Sequence, residues 1–300
     1  ASCDVAAAMM EPPGGTAMVE ESIAEALDFR RAMRKVEADF GKGDWWFKVW
    51  GPDEIAEQGV GRASDWIIRN GRSKANSWHG FGKLAPGFNM LDPIKATIVT
   101  PGLNLDGKFD KTGIPASIVT KFLAEHGVVV EKTGLYSFFI MFTIGITKGR
   151  WNTLLTALQQ FKDDYDRNQP MWRIMPEFCQ QHRRYERMGL RDLCQHVHQL
   201  YAKYDIARLT TEIYLSDLTP SMKPSDAYAH IAQRKTERVE IDKLEGRITV
   251  GLITPYPPGI PLLVPGEVFN KKIVDYLKFA RDFALMLPGF ETDIHGLVEE

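Results

Sequence analysis

IPASIVTKFLAEHGVVVEKTGLYSFFIMFTIGI (114–146) decides the fold, because it changes periodicity twice in thirty-three residues. Pro115 suits a first helical turn, and Ile118, Val119, Phe122 and Leu123 make one apolar stripe that Gly127 is placed to close. The spacing therefore predicts a helix over 114–127. VVVEKTG (128–134) and YSFFIMFTIGI (136–146) then read as strands, the second apolar enough to be buried on both faces. Upstream, LDPIKATIVTPG (91–102) reads as a strand ended by Pro-Gly. Downstream, WNTLLTALQQFKDDYD (151–166) reads as an amphipathic helix. Strand, helix, strand, strand, helix is the order of a compact α/β layer domain.

Farther out, EPPGG (11–15) breaks the chain and leaves Thr16 to cap a helix over 17–40, where Val19, Ile23, Ala26, Leu27, Phe29, Met33 and Val36 recur at helical spacing. DWWFKVW (44–50) reads as an aromatic strand, and 51–77 as a polar surface excursion. The composition changes at Asn168-Gln169-Pro170. Beyond it come polar helices, LRDLCQHVHQLYAKY (190–204) and PSDAYAHIAQRKTERVEI (224–241), then a strand, RITVGLI (247–253), and a closing helix over 271–287. Between these last two lies TPYPPGIPLLVPGE (254–267), too rich in proline for a central strand. Tyr256 and Leu262-Leu263-Val264 are placed to anchor it, and Glu267 either caps the next element or faces a site entrance.

The bulk numbers narrow the function. The 300 residues are 44% hydrophobic and 25% charged, which is ordinary for a globular protein with a sizeable core. The apolar run at 136–146 is too short to cross a bilayer, so no membrane span is expected. A net charge of −2 lacks the basic excess of a nucleic-acid binder. Cys3, Cys179 and Cys194 form no disulfide framework and fit free thiols in a reducing cytoplasm. ASCDVAAAMM (1–10) has no charged n-region, so a signal peptide is not expected, and its uncapped start fits part of a longer polypeptide.

Several residues invite chemical readings. Cys194, His196 and His198 resemble a metal cluster, but two positions on a helix point in different directions, so surface histidines are the better reading and no metal is expected. GxxxxGK(S/T), GxGxxG and GxSxG are absent. SWHGF (77–81) brackets His79 with aromatics, which suits a packed, satisfied histidine. Glu131 directly follows three valines, and open α/β sheets gather ligands at the carboxyl ends of strands. It reads either as a receptor for a cationic substrate or as one side of a strand-end ion pair.

DVAAAMM, SWHGF, LDPIKATIVTPG, GIPASIVTKFLAEHGVVVEKTG, GRITVGLITPYPPGIPLLVPGE and PGFETDIHG resemble, in that order, the carboxyl-terminal part of the bacterial arginine/lysine/ornithine decarboxylases. The resemblance covers nearly the whole chain. It implies a pyridoxal 5'-phosphate enzyme of the aspartate aminotransferase fold (fold type I), with an α/β and α+β organisation. Residues 1–10 would end the large cofactor domain, 11–168 form the aminotransferase-like small domain and 169–300 the C-terminal domain. The family's Schiff-base lysine lies in a Ser-x-His-Lys motif that this sequence lacks, so no catalytic residue is assigned here. The resemblance places Glu131 against the substrate's side-chain ammonium, and Tyr256 and Glu267 nearer the active-site entrance. An ammonium is a compact charge that one carboxylate satisfies, whereas a guanidinium asks for a forked partner. EKTG therefore favours lysine, giving cadaverine and CO2, over ornithine and arginine, although DFRRAM and GRWNTLL lean toward the arginine enzymes. A cytoplasmic homodimer with its active site at the interface, or a decamer of five such dimers, is the implied assembly. The reading from another class is a non-catalytic assembly module of the same descent.

Overall fold

The computed structural model describes residues 1–41, 43–52, 66–68, 79–85, 89–256 and 259–298. Two compact units divide the chain. The first comprises Ala1–Glu177 with Glu186–Gln195, and the second Phe178–Tyr185 with His196–Glu300.

The first unit begins with α1 (Ser2–Met9), which buries none of its residues, and α2 (Gly14–Phe40). α2 starts two residues before the expected Thr16 cap, and no side chain caps it. Gly15 is required there, since a Cβ would lie 2.1 Å from the Met10 carbonyl oxygen. The buried stripe of α2 runs Ser22, Ala26, Phe29, Met33 and Val36 at steps of three and four. It packs toward an antiparallel sheet of order β1-β2-β4-β3, with β1 Lys48–Val49, β2 Lys95–Val99, β3 Lys132–Thr133 and β4 Ser137–Met141. α3 (Ala116–Glu125) and α4 (Lys148–Asp166) complete the helical layer. Ala96, Ile98 and Phe138 are buried in the sheet, and the aromatic core joins Phe29 to Phe142 (5.5 Å) and Phe122 to Phe161 (5.3 Å).

The expected strands shrink. Over 44–50 only Lys48–Val49 pairs, because Trp45 and Phe47 are buried as an edge-on aromatic stack (5.4 Å) rather than by a ladder. Val128–Val130 is not strand, and Val129 stands 87% exposed. The 136–146 strand ends at Met141, and Phe139 to Met141 are half-buried, so it is not covered on both faces. Most of the 51–77 stretch, expected as a surface excursion, lies outside the described residues.

In the second part of the chain come α5 (Met171–Ile174), α6 (Pro176–Gln181), α7 (Leu190–Lys203), α8 (Ile206–Glu212) and α9 (Pro224–Ala232). α9 stops nine residues short of the expected end, and Arg234 just beyond takes a left-handed φ of 56°. RITVGLI forms no strand, only single bridges at Ile248 to Val268 and Ile253 to Leu263. The strand lies one step on. β5 (Thr254–Tyr256) pairs antiparallel with β6 (Asp293–His295), flanking α10 (Lys271–Met286). Pro255 is tolerated because this is a two-stranded ribbon of edges. In the proline loop Leu262 and Leu263 are 1% exposed and belong to the core with Ile273 and Leu277. Tyr256 and Val264, expected as anchors, are exposed instead. Among the described residues, no helix is long and apolar enough to cross a membrane.

Candidate functional site

Because the sheet of the first unit is wholly antiparallel, it has no common carboxyl edge on which a parallel-sheet ligand crevice would form. Glu131 accordingly does not end a strand. It lies immediately before β3, where its backbone N–H donates to the Phe139 carbonyl at 3.0 Å. Its side chain is exposed, and its carboxylate has no hydrogen bond or ion pair among the described residues.

β3 is only two residues long, and its neighbours hold it in place. Lys132 is in register with Phe139 and Thr133 with Phe138. Thr133 Oγ1 donates to Thr120 Oγ1 on α3 at 3.2 Å, which fixes the helix-facing side of the strand. The turn closes where Gly134 N–H donates to the Ser137 carbonyl at 2.6 Å. A Cβ on Gly134 would sit 3.1 Å from Ser137 Oγ, so the glycine in EKTG answers a close approach. Thr133 is the residue that sequence reasoning passed over. Its signal is position: it lies two residues after Glu131 in the same EKTG segment.

On the other face of the sheet, Thr97 and Phe139 are partners in register, and Trp50 N–H donates to the Thr97 carbonyl at 2.7 Å. Here an open groove of about 590 Å³ is lined by Trp50, Phe81, Asp92, Lys95, Thr97 and Phe139, among others. His79 is buried beside it, accepts the Phe81 N–H on Nδ1 at 2.9 Å and stacks on the Phe81 ring. That is the packed, satisfied histidine expected of SWHGF; Ser77 and Trp78 lie outside the described residues.

Tyr256 and Glu267 belong to the second unit, Glu131 to the first. Tyr256 stands on β5 with its ring 6.1 Å from that of His295. Glu267 turns its carboxylate back on its own loop, where Oε2 accepts the Val264 N–H at 2.7 Å. The cap of the next helix is Asn270, whose Oδ1 accepts from Ile273 N–H at 3.0 Å. On α7, His196 is exposed but His198 is 2% exposed, so only one of the two expected surface histidines is at the surface. Burial raises the Cys194 thiol pKa far above its ordinary value, which keeps it protonated. No group of three metal-ligating side chains occurs among the described residues.

The fit to pyridoxal phosphate turns on a lysine. The buried lysine among the described residues is Lys162, whose ammonium pairs with Asp166 and lies 4.4 Å from the centre of the Trp46 ring. It is committed to packing, and the sequence contains no Ser-x-His-Lys. The residues of this chain do not by themselves fit the cofactor.

Two family models match. "Orn/Lys/Arg decarboxylase, major domain" matches residues 1–150, and "Orn/Lys/Arg decarboxylase, C-terminal domain" matches 207–300. The chain is 46% identical over 301 residues to "Lysine decarboxylase LdcA" of Pseudomonas aeruginosa, covering 99% of this chain and 40% of that protein. It is 35% identical over 316 residues to the "Biodegradative arginine decarboxylase" of Escherichia coli, covering 99% and 41% respectively. Among solved structures, "Lysine decarboxylase A from Pseudomonas aeruginosa" superposes with a TM-score of 0.92 at 45% identity, over 99% of this chain and 40% of that one. The constitutive lysine decarboxylase of Escherichia coli gives 0.88 at 34%, over 99% and 41%. The chain thus spans about two fifths of the length of these relatives. With one family model over its first half and another over its last third, the chain belongs to the Orn/Lys/Arg decarboxylases.

Proposed function

We propose that the complete polypeptide decarboxylates a basic amino acid with pyridoxal 5'-phosphate, lysine before ornithine or arginine, and that this chain supplies the small and C-terminal domains. The observation that carries this reading is the 46% identity to a lysine decarboxylase across 99% of the chain. In this reading residues 1–10 end a fold-type-I cofactor domain, 11–168 form the small domain and 169–300 the C-terminal domain. The enzyme acts in the cytoplasm as a homodimer with its active site at the interface, or as a decamer of five such dimers. Bound elsewhere in the polypeptide, the cofactor would supply the electron sink for decarboxylation.

The part this chain plays is recognition. Glu131 meets the substrate's side-chain ammonium, and its exposed carboxylate, with no ion-pair partner among the described residues, is available to do so. One carboxylate satisfies a compact ammonium, and the preference for lysine rests on the identity to a lysine decarboxylase. The test is Glu131→Gln in the complete enzyme, assayed on lysine, ornithine and arginine. Loss of a charge-assisted contact to a desolvated ammonium lowers lysine kcat/KM by about thirtyfold, on the order of 2 kcal/mol. An unchanged lysine kcat/KM removes Glu131 from the site.

A further inference from the structure

We propose that Thr133 is a positioning residue for substrate recognition, acting through Glu131. This rests on the reading of Glu131 as the ammonium receptor and adds to it the device that holds the receptor in place.

Glu131 has no side-chain tether among the described residues, so the direction of its carboxylate is inherited from the backbone of β3. A two-residue strand has little ladder of its own. Its backbone anchors are the bond from Glu131 N–H to the Phe139 carbonyl and that from Gly134 N–H to the Ser137 carbonyl, one at each end. The bond between them that leaves the sheet is from Thr133 Oγ1 to Thr120 Oγ1. Its polarity is fixed, because Thr120 Oγ1 donates its own proton to the Ser117 carbonyl at 3.3 Å and so accepts from Thr133. The run Thr133, Thr120, Ser117 carbonyl fastens β3 to the first turns of α3, a helix whose Ile118, Val119, Phe122 and Leu123 are wholly buried. The strand thereby borrows the rigidity of the core. Glu131 lies two residues before Thr133 on the same short segment, so a loosened Thr133 releases the backbone that carries the carboxylate.

A threonine at this position therefore does what valine, its near-isostere, cannot. Valine keeps the volume and the β-branch but leaves Thr120 without its donor. The expected consequence is weaker binding of the ammonium with the chemical step unchanged, because the displaced group lies at the far end of the substrate from the bond that breaks.

The test is a double-mutant cycle in the complete enzyme with lysine as substrate. Thr133→Val raises KM by roughly threefold to tenfold, the range expected for one neutral hydrogen bond, with kcat within about twofold of the parent. Thr133→Ser restores KM, and Thr120→Val reproduces the defect from the other side of the bond. On a Glu131→Gln background, Thr133→Val adds less than about twofold, because its effect passes through the carboxylate already removed. If the Thr133→Val effect multiplies in full on that background, or falls on kcat rather than KM, Thr133 does not act through Glu131 and the proposal is wrong. If instead Glu131→Gln alone leaves kcat/KM for lysine unchanged, the recognition reading fails first and takes this one with it. The two failures are distinguishable because they appear in different corners of the cycle.

Discussion

Arg30 shows how a single residue can organise the first unit without announcing itself in the sequence. It lies on the buried stripe of α2, 4% exposed, with Nη2 donating to the Lys95 carbonyl at 3.0 Å and Nη1 to the Trp50 carbonyl at 3.4 Å. Its carbon Cζ is 5.9 Å from the Trp66 ring centre, and Nε is without a partner among the described residues. Burial lowers its pKa to about 10. Two carbonyl dipoles and an aromatic face stand in for a counter-ion, so the guanidinium is tolerated rather than favoured. It ties the end of β1 and the start of β2 to the helix behind them. Arg30→Ala, followed by guanidinium chloride unfolding, is expected to lose about 2–4 kcal/mol, from a cavity and two carbonyls stripped of donors. Arg30→Met fills the space and removes the desolvated charge, so it loses less. Equal losses for the two variants contradict this account of the site. From sequence, DFRRAM offered two arginines and no means of telling which one points inward. The turn of the helix makes that choice: Arg31 is exposed and pairs with Asp28.

At the scale of elements, helices were legible and strands were not. The stripes of α2, α3, α4 and α10 repeat every three or four residues within one segment, so each helix could be read without its neighbours. Pairing is another matter, since β1 finds its partner in β2 across about fifty residues. Apolar runs therefore overstated the strands at 44–50, 128–130 and 247–253. The ribbon at Thr254–Tyr256 was missed because proline argued against it, although an edge accepts proline. Helix starts are also set at a distance. α7 begins at Leu190 after Gly189, and its first amides are met by Asn168, a residue twenty-odd positions earlier. Asn168, itself at a left-handed φ of 49°, accepts on Oδ1 from Arg191 N–H (2.9 Å) and Asp192 N–H (3.3 Å). Gly189 leaves room for it, since a Cβ there would lie 2.2 Å from Asn168 Oδ1. Asn168→Ala should cost about 1 kcal/mol through the lost cap, with Asn168→Asp retaining most of it. A thermal melt in which the alanine and aspartate variants coincide would show that the cap does not support the helix.

At the scale of the whole molecule, the candidate site was legible only in part. EKTG and the proline loop marked the family, which two family models and the 46% identity show directly. The geometry behind Glu131 was misread, because a strand end in a parallel sheet was assumed where an antiparallel edge exists. Glu267, beside a Pro-Gly turn, closes its own loop through Oε2. The described residues of this chain do not by themselves fit the cofactor, so recognition of the substrate's distal charge is the role proposed for it. That claim is tested most directly by supplying the complete enzyme with pyridoxal 5'-phosphate and measuring kcat/KM for CO2 release from lysine, ornithine and arginine side by side. The account predicts the largest value for lysine, followed by ornithine. Arginine as the preferred substrate, or no release of CO2 from any of the three, would contradict it.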